Sequence, residues 1–176
     1  MSNKSLMGLI GLLAVVIVGW NSFFVVNQTE RAIVLQFGKV VQSDVAPGLH
    51  FKLPFVQEAQ IFDGRLLTLD TATQRYLTLE KKALMVDSYA KWRVADVQRF
   101  YTATSGLRAI AEERLSRQLE SGLRNEVARR TLHEVVSGER DQLMADITAT
   151  LDENARRELG IEVVDVRVKA IDLPAE

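Results

Sequence analysis

The hydrophobic period of this chain changes three times, and the changes mark out its elements. The first stretch has no polar period at all: Leu6 to Val26, LMGLIGLLAVVIVGWNSFFVV, contains no charged residue. As a helix its 21 residues would span roughly 31 Å, against a hydrocarbon core of about 30 Å. Thirteen of them are Leu, Ile, Val or Phe, which favours the bilayer by on the order of 5 kcal/mol. Trp20, Phe23 and Phe24 fall near one end, where an interfacial aromatic belt belongs. A cleaved signal peptide would have a shorter apolar core and a small-x-small site, and VVNQTE offers none. The stretch therefore predicts an uncleaved single-pass anchor over residues 6–26, behind a tail of residues 1–5. Orientation stays open on charge, since Lys4 and the α-amine are matched by Arg31 and Lys39 on the other flank.

The period then falls to two. RAIVLQF at 31–37 predicts a strand with Ile33, Leu35 and Phe37 on one face, broken by Gly38. Behind Pro47-Gly48 the residues Leu49, Phe51, Leu53 and Phe55 alternate, and Pro54 confines the segment to an edge or a loop. Its apolar side chains can dip into lipid headgroups or pack under the sheet, and periodicity favours neither. Residues 57–69 and 73–79 suggest a hairpin turning at Asp70-Thr71-Ala72. Leu84, Val86, Ser88, Ala90, Trp92 and Val94 then share one face of a strand whose other face carries Asp87, Lys91 and Arg93. That alternation indicates a half-buried antiparallel strand, and residues 27–95 read as β-rich.

At Asp96 the period becomes helical. Asp96 caps a short helix to about Thr102. A long helix runs from about Leu107 to Arg129, with Leu107, Ile110, Ala111, Leu115, Leu119, Leu123 and Val127 as its apolar stripe. Its outer faces place Glu113 with Arg117, and Glu120 with Arg124, at i,i+4 spacing. Such a row is either a solvated face or a contact between packed subunits. Thr131 to Glu134 is a capping-box pattern that starts a new short helix. A third long helix covers about Glu139 to Leu159, burying Leu143, Ile147, Leu151 and Ala155, with Gly160 as its C-terminal cap. The last change returns to period two: Val164, Val166, Val168 and Ala170 predict a strand that rejoins a sheet. Residues 96–176 are thus α/β, and the whole is an α+β domain behind a transmembrane helix.

Composition narrows the function. A formal net charge of −1 gives no electrostatic case for nucleic acid. With 0 Cys there is no disulfide framework, thiol nucleophile or Cys-based metal site. His50 and His133 have no neighbours at ligand spacing. No G-x-S-x-G, H-E-x-x-H or Gly-rich phosphate loop occurs, and Ser88, Ser116 and Ser121 have no evident base. The chain offers no catalytic residue, cofactor-binding residue or metal ligand, and suggests a non-enzyme with no small-molecule substrate. The rival readings are a membrane protease or its catalytic subunit, and an organiser of membrane lipids.

Several stretches together resemble a known superfamily. They are Val26 to Ala32 with Phe37-Gly38-Lys39-Val40, Pro47 to Phe55, Val86 to Asp96, and Gly160 to Val168 with Ile171-Asp172-Leu173-Pro174. In this order they are similar to the stomatin/prohibitin/flotillin/HflK-HflC (SPFH, or band-7) superfamily. The five-residue head, VDSYAKWRV and SGERDQLM are most similar to its bacterial HflC subfamily. The resemblance implies a subunit that joins HflK in a ring or cage on the bacterial inner membrane. The N-terminus would be cytoplasmic and most of the mass periplasmic. The assembly would enclose and modulate the membrane protease FtsH, with no chemistry of its own. It also implies that Pro47–Phe55 is membrane-proximal, which weights Leu49, Phe51, Leu53 and Phe55 towards lipid, alongside Trp20, Phe23 and Phe24. A long helical coiled coil is expected after residue 176, beyond this sequence.

Overall fold

A computed structural model describes residues 11–13, 16–138 and 140–172, with the side chains of 137–140 left out. The chain forms two compact units, Met1–Asp63 and Gly64–Glu176.

In the first unit, residues 11–13 and 16–21 are helical, while 6–10, 14 and 15 lie outside the described residues. The helix does not run on to Val26 as its apolarity suggested. Phe23–Val26 is strand β1, because two Phe and two Val suit a pleated surface and a partner strand is at hand. No described helix is long and apolar enough to cross a membrane. Four more strands come after it: β2 (Glu30–Gln36), β3 (Lys39–Val45), β4 (Gly48–Phe51) and β5 (Gln57–Asp63). β1 and β4 pair as an antiparallel ribbon, and β3-β2-β5 form an antiparallel sheet. Val26, Ala32, Val34 and Val45 make a buried cluster against which Phe24 packs.

One expectation fails here, and one strand was not foreseen. Phe37 does not share a buried face with Ile33 and Leu35. It and Gly38 take φ of 50° and 78° in the turn from β2 to β3, and its ring is 82% exposed. A two-residue turn with both φ positive matches the twist of a hairpin, so the strand must stop one residue early. β3 was also unforeseen, since KVVQSDV has no clean alternation and is mostly exposed.

In the second unit the long strand β8 (Ala83–Val94) is central. β6 (Leu67–Asp70) and β7 (Gln74–Leu77) both pair antiparallel with β8, and β9 (Ile161–Asp172) pairs with it over residues 85–94. The expected hairpin over 57–79 is therefore absent. β6 and β7 lie end to end along one edge of β8 rather than against each other, and β5 pairs with β2 instead. Thr71 holds that junction, its N–H and hydroxyl both donating to Ser88 O, at 3.1 Å and 2.8 Å. The predicted face of β8 is buried as expected, from Leu84 through Ser88 to Trp92 and Val94.

The helices are α1 (Val97–Thr104), α2 (Arg108–Ala128) and α3 (Arg140–Leu159), with a π-helical turn at Glu134–Gly138. Asp96 caps α1 by accepting from Arg99 N at 2.9 Å. The capping box forms, with Thr131 N donating to Glu134 Oε2 at 2.6 Å and Glu134 N to Thr131 Oγ1 at 3.4 Å. It leads into the π turn, in place of the short α-helix expected there. α2 buries Ala111, Leu115, Leu119, Leu123 and Val127, but leaves Leu107 exposed. α3 buries Leu143, Ile147, Leu151 and Ala155 as predicted and touches β9. The buried residues of β9 differ from the expected set. Val163 is buried and Val164 exposed, because the register against β8 slips at Lys91/Trp92 and again at Asp87/Ser88. Each slip leaves one extra β9 residue, Val164 and then Lys169, so strict alternation along the sequence fails.

The predicted change of period is present at residues 95–96. β8, just before it, nevertheless belongs with the helices and β9, and the boundary between the compact units falls at Asp63/Gly64.

Candidate lipid-facing surface

Within the first unit, register decides where each predicted contact residue points. Phe23 stands opposite Phe51 and Val25 opposite Leu49, whereas Phe24 stands opposite His50 and Val26 opposite Gly48. Side chains alternate between the faces of a ribbon, so Phe23, Val25, Leu49 and Phe51 share one face. All four are exposed. The Phe23 and Phe51 rings meet edge to face with centroids 5.8 Å apart. Phe24 is on the opposite face, packed against the buried cluster and tilted over His50 at 5.6 Å. It is therefore a core residue, unlike its predicted companions. His50 Nε2 lies 2.6 Å from Ala46 O and so carries the proton that it donates there.

Chain direction gathers more apolar groups at one end of this unit. β1 runs away from the helix, β2 returns, β3 runs away, β4 returns and β5 runs away, as Gln36 opposite both Lys39 and Gln57 requires. Three connections thus share the end where the helix joins: residues 21–22, Phe37-Gly38 and 52–56. They carry Phe37, Leu53 and Phe55, exposed to 82%, 48% and 88%, and Trp20, 86% exposed, sits on the helix just before the first of them. The other end has Asn27-Gln28-Thr29 and Ala46-Pro47 as its turns. Phe55 takes φ of 67°, a region that costs a bulky residue on the order of 1–2 kcal/mol. The 52–56 turn is pinned by Gln57 N to Leu53 O and Leu53 N to Gln57 Oε1, both 2.9 Å. That bracing holds a strained aromatic residue outward in water, which a purely structural turn has no need to do. Lys39 and Lys52 belong to the same end. Sequence reasoning did not pick out Phe37 as a candidate, because its alternation with Ile33 and Leu35 concealed a turn.

The predicted subunit-contact residues lie in the second unit, on α2. Arg117 donates to Glu113 at 2.5 Å. Glu120 accepts from Ser116 Oγ at 3.3 Å, and no ion pair joins it to Arg124 among the described residues. Glu113, Arg117 and Arg124 are exposed and Glu120 is half-buried beside Tyr76 of β7. Burial pushes the Tyr76 phenol up to about 12, Glu120 adding to the rise and Arg124 opposing it. The row is thus one stripe, exposed at Glu113, Arg117 and Arg124, in which Glu120 and Arg124 also act on Tyr76. Of the serines, Ser88 is buried with Oγ 2.8 Å from Thr71 Oγ1, out of reach of any substrate. Among the described residues no group of three or more His, Cys, Asp or Glu could hold a metal ion.

The ribbon, the two sheets and the helical crossover belong to a recognised class. Residues 24–176 match the model of the SPFH domain / Band 7 family, and the chain belongs to that family. It is similar to Protein HflC of Haemophilus influenzae, 44% identical over 167 residues, covering 89% of this chain and 56% of the relative. It is also similar to Protein HflC of Buchnera aphidicola subsp. Schizaphis graminum, 42% identical over 176 residues, covering 89% and 57%. Modulator of FtsH protease HflC of Escherichia coli K12 is 36% identical over 210 residues, covering 94% and 63%. The chain spans a little over half the length of these curated relatives.

Proposed function

We propose that this chain is a membrane-held scaffold subunit that modulates an FtsH-type protease without performing chemistry itself. The observation that carries the membrane part is the gathering of Trp20, Phe23, Phe37, Phe51, Leu53 and Phe55 at one end of the first unit. That end adjoins the uncharged residues 6–22 that precede β1, so in this reading apolar anchor and apolar ribbon meet the same lipid surface. Burying such rings in the headgroup and acyl boundary gains about 25 cal/mol per Å². Lys39 and Lys52 add attraction to anionic lipid of about 1 kcal/mol each. The protease part rests on the printed name of the Escherichia coli relative. In this reading the anchor crosses the bacterial inner membrane once with the N-terminus cytoplasmic. The α2 row of Glu113, Arg117, Glu120 and Arg124 meets a neighbouring subunit, HflK, and the resulting ring limits what reaches FtsH.

Having 0 Cys, the chain accepts a single reporter. Phe37→Cys and Phe55→Cys, each carrying an environment-sensitive dye, should emit to the blue in phosphatidylglycerol-containing vesicles and be quenched by lipid-borne quenchers. Asn27→Cys and Pro47→Cys at the other end should behave as dye in water. Equal behaviour at both ends would sink the lipid-facing assignment.

A further inference from the structure

We infer that Ser22 is a positioning residue that makes the N-terminal helix and the β1–β4 ribbon one body, linking the depth of Trp20 in lipid to that of Phe51. The inference rests on the lipid-facing reading. Residues 16–21 are all exposed, yet Ser22 is 4% exposed. It belongs to both elements. Its N–H donates to Gly19 O at 3.2 Å and its hydroxyl to Val18 O at 2.7 Å, which closes the last helical turn. Its own carbonyl accepts from Lys52 N at 2.7 Å. Since Phe23 stands opposite Phe51, the bond from Lys52 to Ser22 is the next rung of the ribbon.

No linker residue therefore separates helix from strand. A serine that bonds back four residues within a helix commonly bends it or merely hides its hydroxyl. Here the same residue is also a ladder rung, so the helix cannot swivel without breaking the bond from Lys52. Backbone hydrogen bonds at a water-depleted surface are costly to leave unmade, which makes the joint stiffer where lipid excludes water. Trp20 lies two residues before the joint and the Phe23–Phe51 pair one residue after it. Their separation along the membrane normal is then set by Ser22 and not by a flexible tether.

The test uses the full chain with Trp92→Phe, so that Trp20 is the only indole of the 2 Trp present. Trp92 is fully buried and its indole N–H has no acceptor among the described residues, so Phe is a tolerable replacement. In detergent micelles the Lys52 amide should exchange at least tenfold more slowly than in a variant with Gly-Gly inserted after Ser22. Ser22→Ala should fall between the two. In phosphatidylcholine vesicles containing lipids brominated at defined depths, Phe51→Asp should move Trp20 towards the surface. With the Gly-Gly insertion, the same substitution should leave Trp20 where it was. An unprotected Lys52 amide in the parent chain overturns the joint. So does an insertion variant in which Trp20 still responds to Phe51→Asp. A protected amide with no response of Trp20 to Phe51→Asp shows instead that the ribbon does not meet lipid, and the inference falls with that reading.

Discussion

Gly160 stands where α3 ends, β9 begins and α1 starts, and no side chain fits there. Its φ is 67°, and a Cβ would run into Asp96 O while coming within 2.9 Å of Phe100 N. Its carbonyl meanwhile accepts from Ala95 N and Asp96 N at 3.0 Å and 2.9 Å. Gly160→Ala combines left-handed strain with a backbone clash. It should destabilise the second unit by about 3 kcal/mol or more, read as a lowered urea midpoint with an unchanged slope. Tyr76 gives a second residue-scale outcome. Burial raises its phenol to about 12 in the fold, against about 10 in the unfolded chain. The stabilising contribution is complete below pH 10 and is lost as pH climbs towards 12, because the unfolded state gives up that proton first. In ultraviolet titration the Tyr76 phenol should ionise near its raised value of about 12. Tyr76→Phe should flatten the alkaline arm of the stability curve, and an unchanged arm would show that another group sets it.

The α2 row belongs to the scale of whole elements. Arg117→Glu places a carboxylate one turn from Glu113, a like-charge pair that costs a few tenths of a kcal/mol on an exposed helix. Arg124→Glu likewise places a carboxylate one turn from Glu120 on an exposed position. Together they should leave thermal unfolding within a few degrees of the parent while reducing co-purification with HflK several-fold. Normal co-purification would make the row a solvated face. A different anchor point is Glu162. Arg93 and Arg156 both hydrogen-bond to it and hold its carboxyl below the usual range, tying β8, β9 and α3. At this scale periodicity located β8, α2 and α3 well, because each buries one face at an unbroken period. It misjudged β9, where two bulges rotate the buried face, and the 57–79 hairpin, where β2 takes β5 and β8 takes β6 and β7. Neither a bulge nor a distant strand leaves a mark in a window of ten residues.

For the molecule as a whole, the proposed function predicts coupling between membrane seating and protease control. When the chain is reconstituted with HflK and FtsH, Phe37→Asp with Phe55→Asp should abolish most of its effect on degradation of a membrane substrate. FtsH activity measured alone should stay the same. Modulation at the parental level would separate the apolar end from that role. Sequence by itself determined the uncharged first stretch, the order of β-rich and helical halves, the faces of β8 and α3, and the caps at Asp96, Thr131 and Gly160. These come from local chemistry, namely side-chain period, φ freedom and hydrogen-bonding reach within a few residues. Only the tertiary structure decided that the helix ends before Phe23, that Phe24 turns inward, and that Phe37 joins Phe55 at one end. Those outcomes depend on which strands pair and in what register, and pairing energy comes from residues far apart in the chain.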